Sequence, residues 1–332
     1  MNKKQIMGLI IAAALFIATG VASVAINTWS QKKLGRAEGT LKSALESVEN
    51  TNISLPKEDY IAVVKVEGTI AESEGSSSLI SSSGYSHSFT LDYIKKVTED
   101  NIWNKGILLV VDSPGGSVYT SDELYYALMD YKKATNRPIY CYFGSYACSG
   151  GYYISMAADE IYANRNTWTG SIGVISQMYD LTGLYDKLGI KEVDIVSGRN
   201  KAMGSSGQSL TEEQHKIMQS LVDEAYEQFV GIVAEGRGMP ADKVKEIADG
   251  RVVSASQAQQ WNLIDGISRY EDYQAHIREE QGKDVDFYVP EVKESILFSL
   301  FSKVQSVLPK SDTEVMTDFA NTLKRGLWYY AE

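Results

Sequence analysis

The stretch Gly106-Ile107-Leu108-Leu109-Val110-Val111-Asp112-Ser113-Pro114-Gly115-Gly116-Ser117 decides the fold. Its apolar half has no polar break, which predicts a strand buried on both faces, as in a parallel sheet. The run empties into Pro-Gly-Gly, and a helix is expected from about Ser121 to Ala134, with Thr120 and Glu123 spaced as a capping box. Reading outward, Tyr60–Val66 predicts an earlier strand and residues 90–103 a helix. Downstream, 139–143, 161–163 and 193–196 predict strands, and 149–158 a helix after a turn of small residues. The longest helix is expected over 211–234, where Ile217, Leu221, Ala225, Phe229 and Val233 fall on one stripe. Strand–helix alternation without internal repeats means an α/β domain around a mainly parallel sheet.

The chain has 332 residues, with 32 Lys and Arg against 43 Asp and Glu, a formal net charge of −11. With no basic excess to neutralise phosphates, the balance argues against a nucleic-acid-binding body. Apolar residues at 44% and charged residues at 23% fit a packed globular protein rather than disorder. Cys141 and Cys148 are too few for a disulfide scaffold or a zinc ribbon, and both are expected reduced and buried. His87, His215 and His276 show no metal-binding spacing and read as solvated or capping histidines, so neither metal nor other cofactor is expected.

Ahead of the core, Ile6 to Ile26 run for 21 residues without a charge. As a helix they rise about 31 Å, close to the hydrocarbon thickness of a bilayer. Behind Lys3 and Lys4, this predicts an uncleaved signal-anchor transmembrane helix within residues 1–30, and a single-pass protein of the cell membrane with its body outside the cytoplasm. Residues 31–58 read as a polar stalk and 59–282 as the α/β core, which includes a loop with eight serines between Ser76 and Ser88. Residues 283–332 form a C-terminal tail with apolar runs at 296–301 and 327–330, expected to pack on, or enter, a neighbouring site.

Two turns offer chemistry. At Pro114-Gly115-Gly116 the reading is either a tight βα turn or a cradle of backbone N–H groups for an anion or oxyanion. At Gly144-Ser145-Tyr146-Ala147-Cys148-Ser149-Gly150-Gly151, Ser149 is either a helix cap or a nucleophile placed at a helix N-terminus, with Cys148 competing for that role. A serine nucleophile needs a base, and no histidine sits in a triad signature. A lysine serves if burial lowers its pKa by roughly 3 units from about 10.4. Lys201, in the loop Ser197-Gly198-Arg199-Asn200-Lys201-Ala202-Met203-Gly204, is either that base or a solvated side chain.

Ser113-Pro114-Gly115-Gly116, Ser149-Gly150-Gly151-Tyr152-Tyr153, Thr169-Gly170-Ser171-Ile172-Gly173-Val174, and Ser197-Gly198 with Lys201 together resemble the signal peptide peptidase A family in its short, single-core form. Gly236-Arg237-Gly238, Ala248-Asp249-Gly250-Arg251-Val252 and Leu263-Ile264-Asp265 extend the resemblance over residues 58–270. The resemblance implies a Clp-protease/crotonase-like fold and a membrane-anchored serine endopeptidase with a Ser–Lys dyad. Ser149 would be the nucleophile, Lys201 the general base, Ser171 its orienting partner, and Gly115 and Gly116 the oxyanion donors. It also implies hydrophobic peptide substrates, chiefly remnant signal peptides, and a homo-oligomeric ring of about eight subunits with the dyad shared between adjacent protomers. Two rival readings are a non-catalytic membrane scaffold of the same fold and a crotonase-like acyl-CoA lyase or isomerase.

Overall fold

The computed structural model describes residues 53–72, 85–290 and 328–330. The expected span at Ile6–Ile26, most of the stalk, most of the serine-rich loop and the apolar run at 296–301 lie outside the described residues. Among the described residues no helix is long and apolar enough to cross a membrane.

In chain order the elements are β1 (Tyr60–Glu67), α1 (His87–Glu99), β2 (Asn104–Ser113), β3 (Gly115–Ser117), α2 (Val118–Thr135), β4 (Ile139–Cys148) and α3 (Gly150–Ser155). Then come β5 (Glu160–Ala163), β6 (Trp168–Gly170), α4 (Thr182–Leu188), α5 (Glu212–Arg237), α6 (Ala241–Ile247), β7 (Val252–Ser254) and α7 (Ala255–Gln260). The last are β8 (Gly266–Ile267), α8 (Tyr270–Gln281), β9 (Asp286–Tyr288) and β10 (Trp328–Tyr330).

The main sheet runs β7-β6-β4-β2-β1-β9 and is parallel except where β7 meets β6. It forks at β4. The first half of that strand, Tyr140–Phe143, pairs with β5, which in turn pairs with β8, while Tyr146–Cys148 pairs with β6. Both faces are covered, as the unbroken apolar run of β2 requires. Ala62, Val64, Ile107, Leu109 and Val111 join the core on one face, with residues of α1, α2 and α3. Ile61, Leu108, Tyr140 and Tyr142 face the other way, onto Tyr273 and Ile277 of α8.

Several expectations need correction. The segment 193–196 alternates like a strand but pairs with no described residue, leaving Val193 79% and Ile195 99% exposed. A strand needs a neighbour for its backbone groups, and this segment has none among the described residues. The helix expected from Ser121 begins three residues earlier, so Thr120 is helical and buried, and Glu123 reaches His87 instead of closing a capping box. The capping boxes are at Thr211 with Gln214 and at Ser254 with Gln257. Within the expected tail, β9 completes the sheet edge on β1. Ile53 and Leu55, from the expected stalk, pack on the core.

Candidate active site

The site grows from a slip in β4. Val111 of β2 pairs with Phe143, but Ser113 pairs with Ala147, so β4 carries two extra residues between these points. Asp112 holds the bulge by accepting the Tyr146 N–H at 3.0 Å. Bulges re-aim the strand beyond them, and this one delivers Ser149 to the start of α3.

Ser149 adopts φ 52° and ψ −116°, an unusual backbone for a residue with a Cβ. Two bonds hold it there: its N–H donates to the Gly170 carbonyl at 2.8 Å, and its carbonyl accepts the Tyr153 N–H at 2.8 Å. The Oγ is buried and has no hydrogen-bond partner in the described structure. Strain and an unpartnered hydroxyl each disfavour the fold by about 1–3 kcal/mol, an arrangement expected of a reactive group rather than of a helix cap. No side-chain capping bond is made.

Ser171 lies alongside. Cys148 and Gly170 are register partners on β4 and β6, so Ser149 and Ser171 are the next residues of two neighbouring strands. Ser171 also has positive φ, at 49°, and is held by donating its N–H to the Arg251 carbonyl at 2.8 Å. The turn presenting that carbonyl is closed by Asp249, which accepts from the Arg251 backbone and guanidinium. The guanidinium bond first, then the backbone N–H, hold the Asp249 carboxyl down to about 2 despite slight desolvation.

Gly115 and Gly116 separate in role. The Gly115 N–H already donates to Ser113 Oγ at 3.1 Å, and its carbonyl accepts the Ile70 N–H at 2.9 Å. Ser117 N–H donates to the Ile70 carbonyl at 2.8 Å. Successive residues of a strand point their polar groups to opposite edges, so Gly116 presents its N–H and carbonyl away from Ile70. There β10 runs antiparallel, with Tyr329 opposite Gly116. A Cβ on Gly116 would lie 1.9 Å from the Ile70 carbonyl oxygen, so no other residue fits. The N–H of Gly150, in the first turn of α3, has no partner within its own helix. Sequence reasoning missed it, although the residue after a serine at a strand–helix turn is the ordinary second oxyanion donor.

Lys201 is not brought to Ser149 within one chain. It is exposed in the loop ahead of α5, and Ser149 Oγ has no partner at hydrogen-bond distance. Cys148 is buried, its Sγ donates to the Trp168 carbonyl at 3.4 Å, and burial pushes its thiol up to about 12. The thiolate a cysteine nucleophile needs is scarce there. His215 is exposed on α5. His87, expected to be solvated or capping, is buried between Tyr85 and Glu123, and His276 faces Glu160 and Glu280.

Residues 131–285 match the model of peptidase family S49. A relative from Enterococcus faecium, named for signal peptide peptidase SppA, is 42% identical over 221 residues, covering 67% of this chain and 63% of the relative. Residues 131–285 are an S49 peptidase domain. The S49 match takes in Ser149, Ser171 and Lys201, whereas Gly115 and Gly116 precede it. The chloroplastic serine protease SPPA of Arabidopsis thaliana is 32% identical over 210 residues, 63% of this chain and 30% of the relative. Protease 4 of Haemophilus influenzae is 33% identical over 212 residues, 64% of this chain and 33% of the relative. The chain therefore spans less than two thirds of the length of these S49 relatives. A mostly parallel α/β sheet forked at β4 fits the Clp-protease-like fold of the family.

Proposed function

We propose that this chain is a membrane-anchored serine endopeptidase that degrades remnant signal peptides and other hydrophobic peptides with a Ser149–Lys201 dyad. The observation that carries the reading is Ser149, a buried hydroxyl without a partner on a strained turn, with Ser171 beside it. The proteases among its relatives support the reaction class. The uncharged run Ile6–Ile26 supports the anchor.

In this mechanism, Lys201 Nζ takes the proton from Ser149 Oγ as the oxygen attacks the scissile carbonyl. The Gly116 and Gly150 N–H groups receive the oxyanion. Lys201 returns the proton to the leaving amine, and water, deprotonated by the same lysine, releases the acyl group. Ser171 orients the lysine. Because Lys201 is exposed in a single chain, it comes from an adjacent copy in a ring, whose contact removes it from water as a lysine base requires. The exposed apolar side chains of Val193, Ile195 and Leu188 in the same region support a second copy as their cover. A peptide laid along β3 supplies its backbone to Gly116, as β10 does.

The test is a fluorogenic-peptide assay of wild type, Ser149→Ala, Lys201→Ala and Cys148→Ala. Both dyad variants are expected to be inactive and Cys148→Ala active. Co-refolded Ser149→Ala and Lys201→Ala chains are expected to recover part of the activity, because a mixed interface pairs an intact Ser149 with an intact Lys201. Wild-type turnover by Ser149→Ala would overturn the mechanism.

A further inference from the structure

At the opposite end of β4 from Ser149, three side chains converge that the proteolytic mechanism does not use. Glu160 opens β5, and its register partner is Tyr140 at the start of β4. His276 and Glu280 lie one turn apart on α8. His276 Nε2 is 3.3 Å from Glu160 Oε2 and 3.6 Å from Glu280 Oε1, and one ligand atom from each residue falls within 4.8 Å of the others. A single imidazole N–H cannot serve two carboxylates well. Ligand atoms about 2.0–2.1 Å from a tetrahedral zinc are roughly 3.3 Å apart, so these spacings nearly match two edges of a coordination tetrahedron.

The surroundings already fix the donors. The imidazole lies against the rings of Tyr162 and Tyr273, each with its centroid 6.0 Å away. The other oxygen of Glu280 accepts the Tyr140 hydroxyl at 2.9 Å, and that hydroxyl accepts from Gln281 Nε2 at 2.8 Å. Such outer hydrogen bonds orient metal-binding carboxylates. We propose that Glu160, His276 and Glu280 form a divalent-metal site of the zinc class, which clips α8 to β5. One imidazole with two carboxylates suits zinc, whereas magnesium and calcium prefer all-oxygen shells. All three side chains are partly exposed, so a water has access to the fourth position.

The test is calorimetric titration of the purified full-length chain, stripped with chelator, with zinc chloride, and with magnesium and calcium chlorides as controls. Saturable binding of one zinc per chain is expected, with neither control binding at the same concentrations. His276→Ala and Glu280→Gln are each expected to weaken binding by about 100-fold, and Tyr140→Phe by about 10-fold. Zinc should raise the melting temperature of wild type and not of these two ligand variants. Glu280→Gln changes a partly exposed side chain, so it carries the test if His276→Ala fails to fold. No saturable zinc binding, or equal binding by wild type and Glu280→Gln, overturns the site. The proposal stands apart from the peptidase reading, since Ser149→Ala is expected to bind zinc as wild type does.

Discussion

At the scale of single residues, the positions that matter are those where the surroundings leave no choice. Gly116→Ala would put a methyl 1.9 Å from the Ile70 carbonyl oxygen, and backbone cannot move aside as a flexible side chain does. The pairing of Ile70 with β3 is expected to break, with a loss of peptide turnover of about 100-fold or more if Gly116 is an oxyanion donor. Steady-state kinetics alongside a thermal melt separate the two effects. Cys141 and Cys148 are both buried, with thiols pushed up to about 12, so a thiol reagent should find no reactive cysteine in the native protein and two after denaturation. The position of Ser149 at a strand-to-helix turn was legible from an apolar run followed by small residues, whereas its role as nucleophile came only from the resemblance. The matching positive φ of Ser171 was not legible, since it depends on the Arg251 carbonyl, 80 residues away in sequence.

Among the elements, β1, β2 and the first half of β4 could be read directly, because burial on both faces writes itself as an apolar run. The fork in β4 could not. It follows from the extra residues opposite Asp112, and no local preference marks where a strand changes neighbours. At the start of α5, Thr211 and Gln214 cap each other's backbone, and Thr211→Ala should cost about 1 kcal/mol in denaturant unfolding. At the end of the same helix, Arg237, with a side chain 7% exposed, makes paired bonds of 3.0 and 2.8 Å to Asp265. Burial alone would raise the Asp265 carboxyl, but the Arg237 bond, with the Ile161 N–H, holds it below the ordinary aspartate value. A lowered pKa gives stability that is complete above the unfolded aspartate pKa of about 3.9 and is lost as pH falls through the folded value. Acid unfolding followed by circular dichroism should therefore be shallower below about pH 4 in Asp265→Asn than in wild type, from a lower starting stability. The β10 strand lies on the one open edge of β3. Deleting residues 326–332 should lower the KM for a peptide about 3-fold or more, because a tethered competitor is removed.

For the molecule as a whole, the sheet and its helices are self-sufficient, while the region from Ile175 to Val196 is not. It exposes Ile175, Leu184, Leu188, Ile190, Val193 and Ile195, and α4 within it buries none of its residues. The alternation at 193–196 gave no strand because no described segment lies beside it to pair with; in the proposed ring a neighbouring copy would cover it. Val193→Lys with Ile195→Lys should shift sedimentation to the monomer and abolish peptide turnover while leaving the Ser149 turn intact. The edge of β3 has a further consequence. It offers an incoming chain backbone hydrogen bonds and takes backbone hydrogen bonds in return. A polypeptide whose N–H and carbonyl groups are already committed to its own helices and sheets has nothing to exchange. If substrate binds on this edge, as proposed, the enzyme would sort proteins by whether they have finished folding before it reads a single side chain.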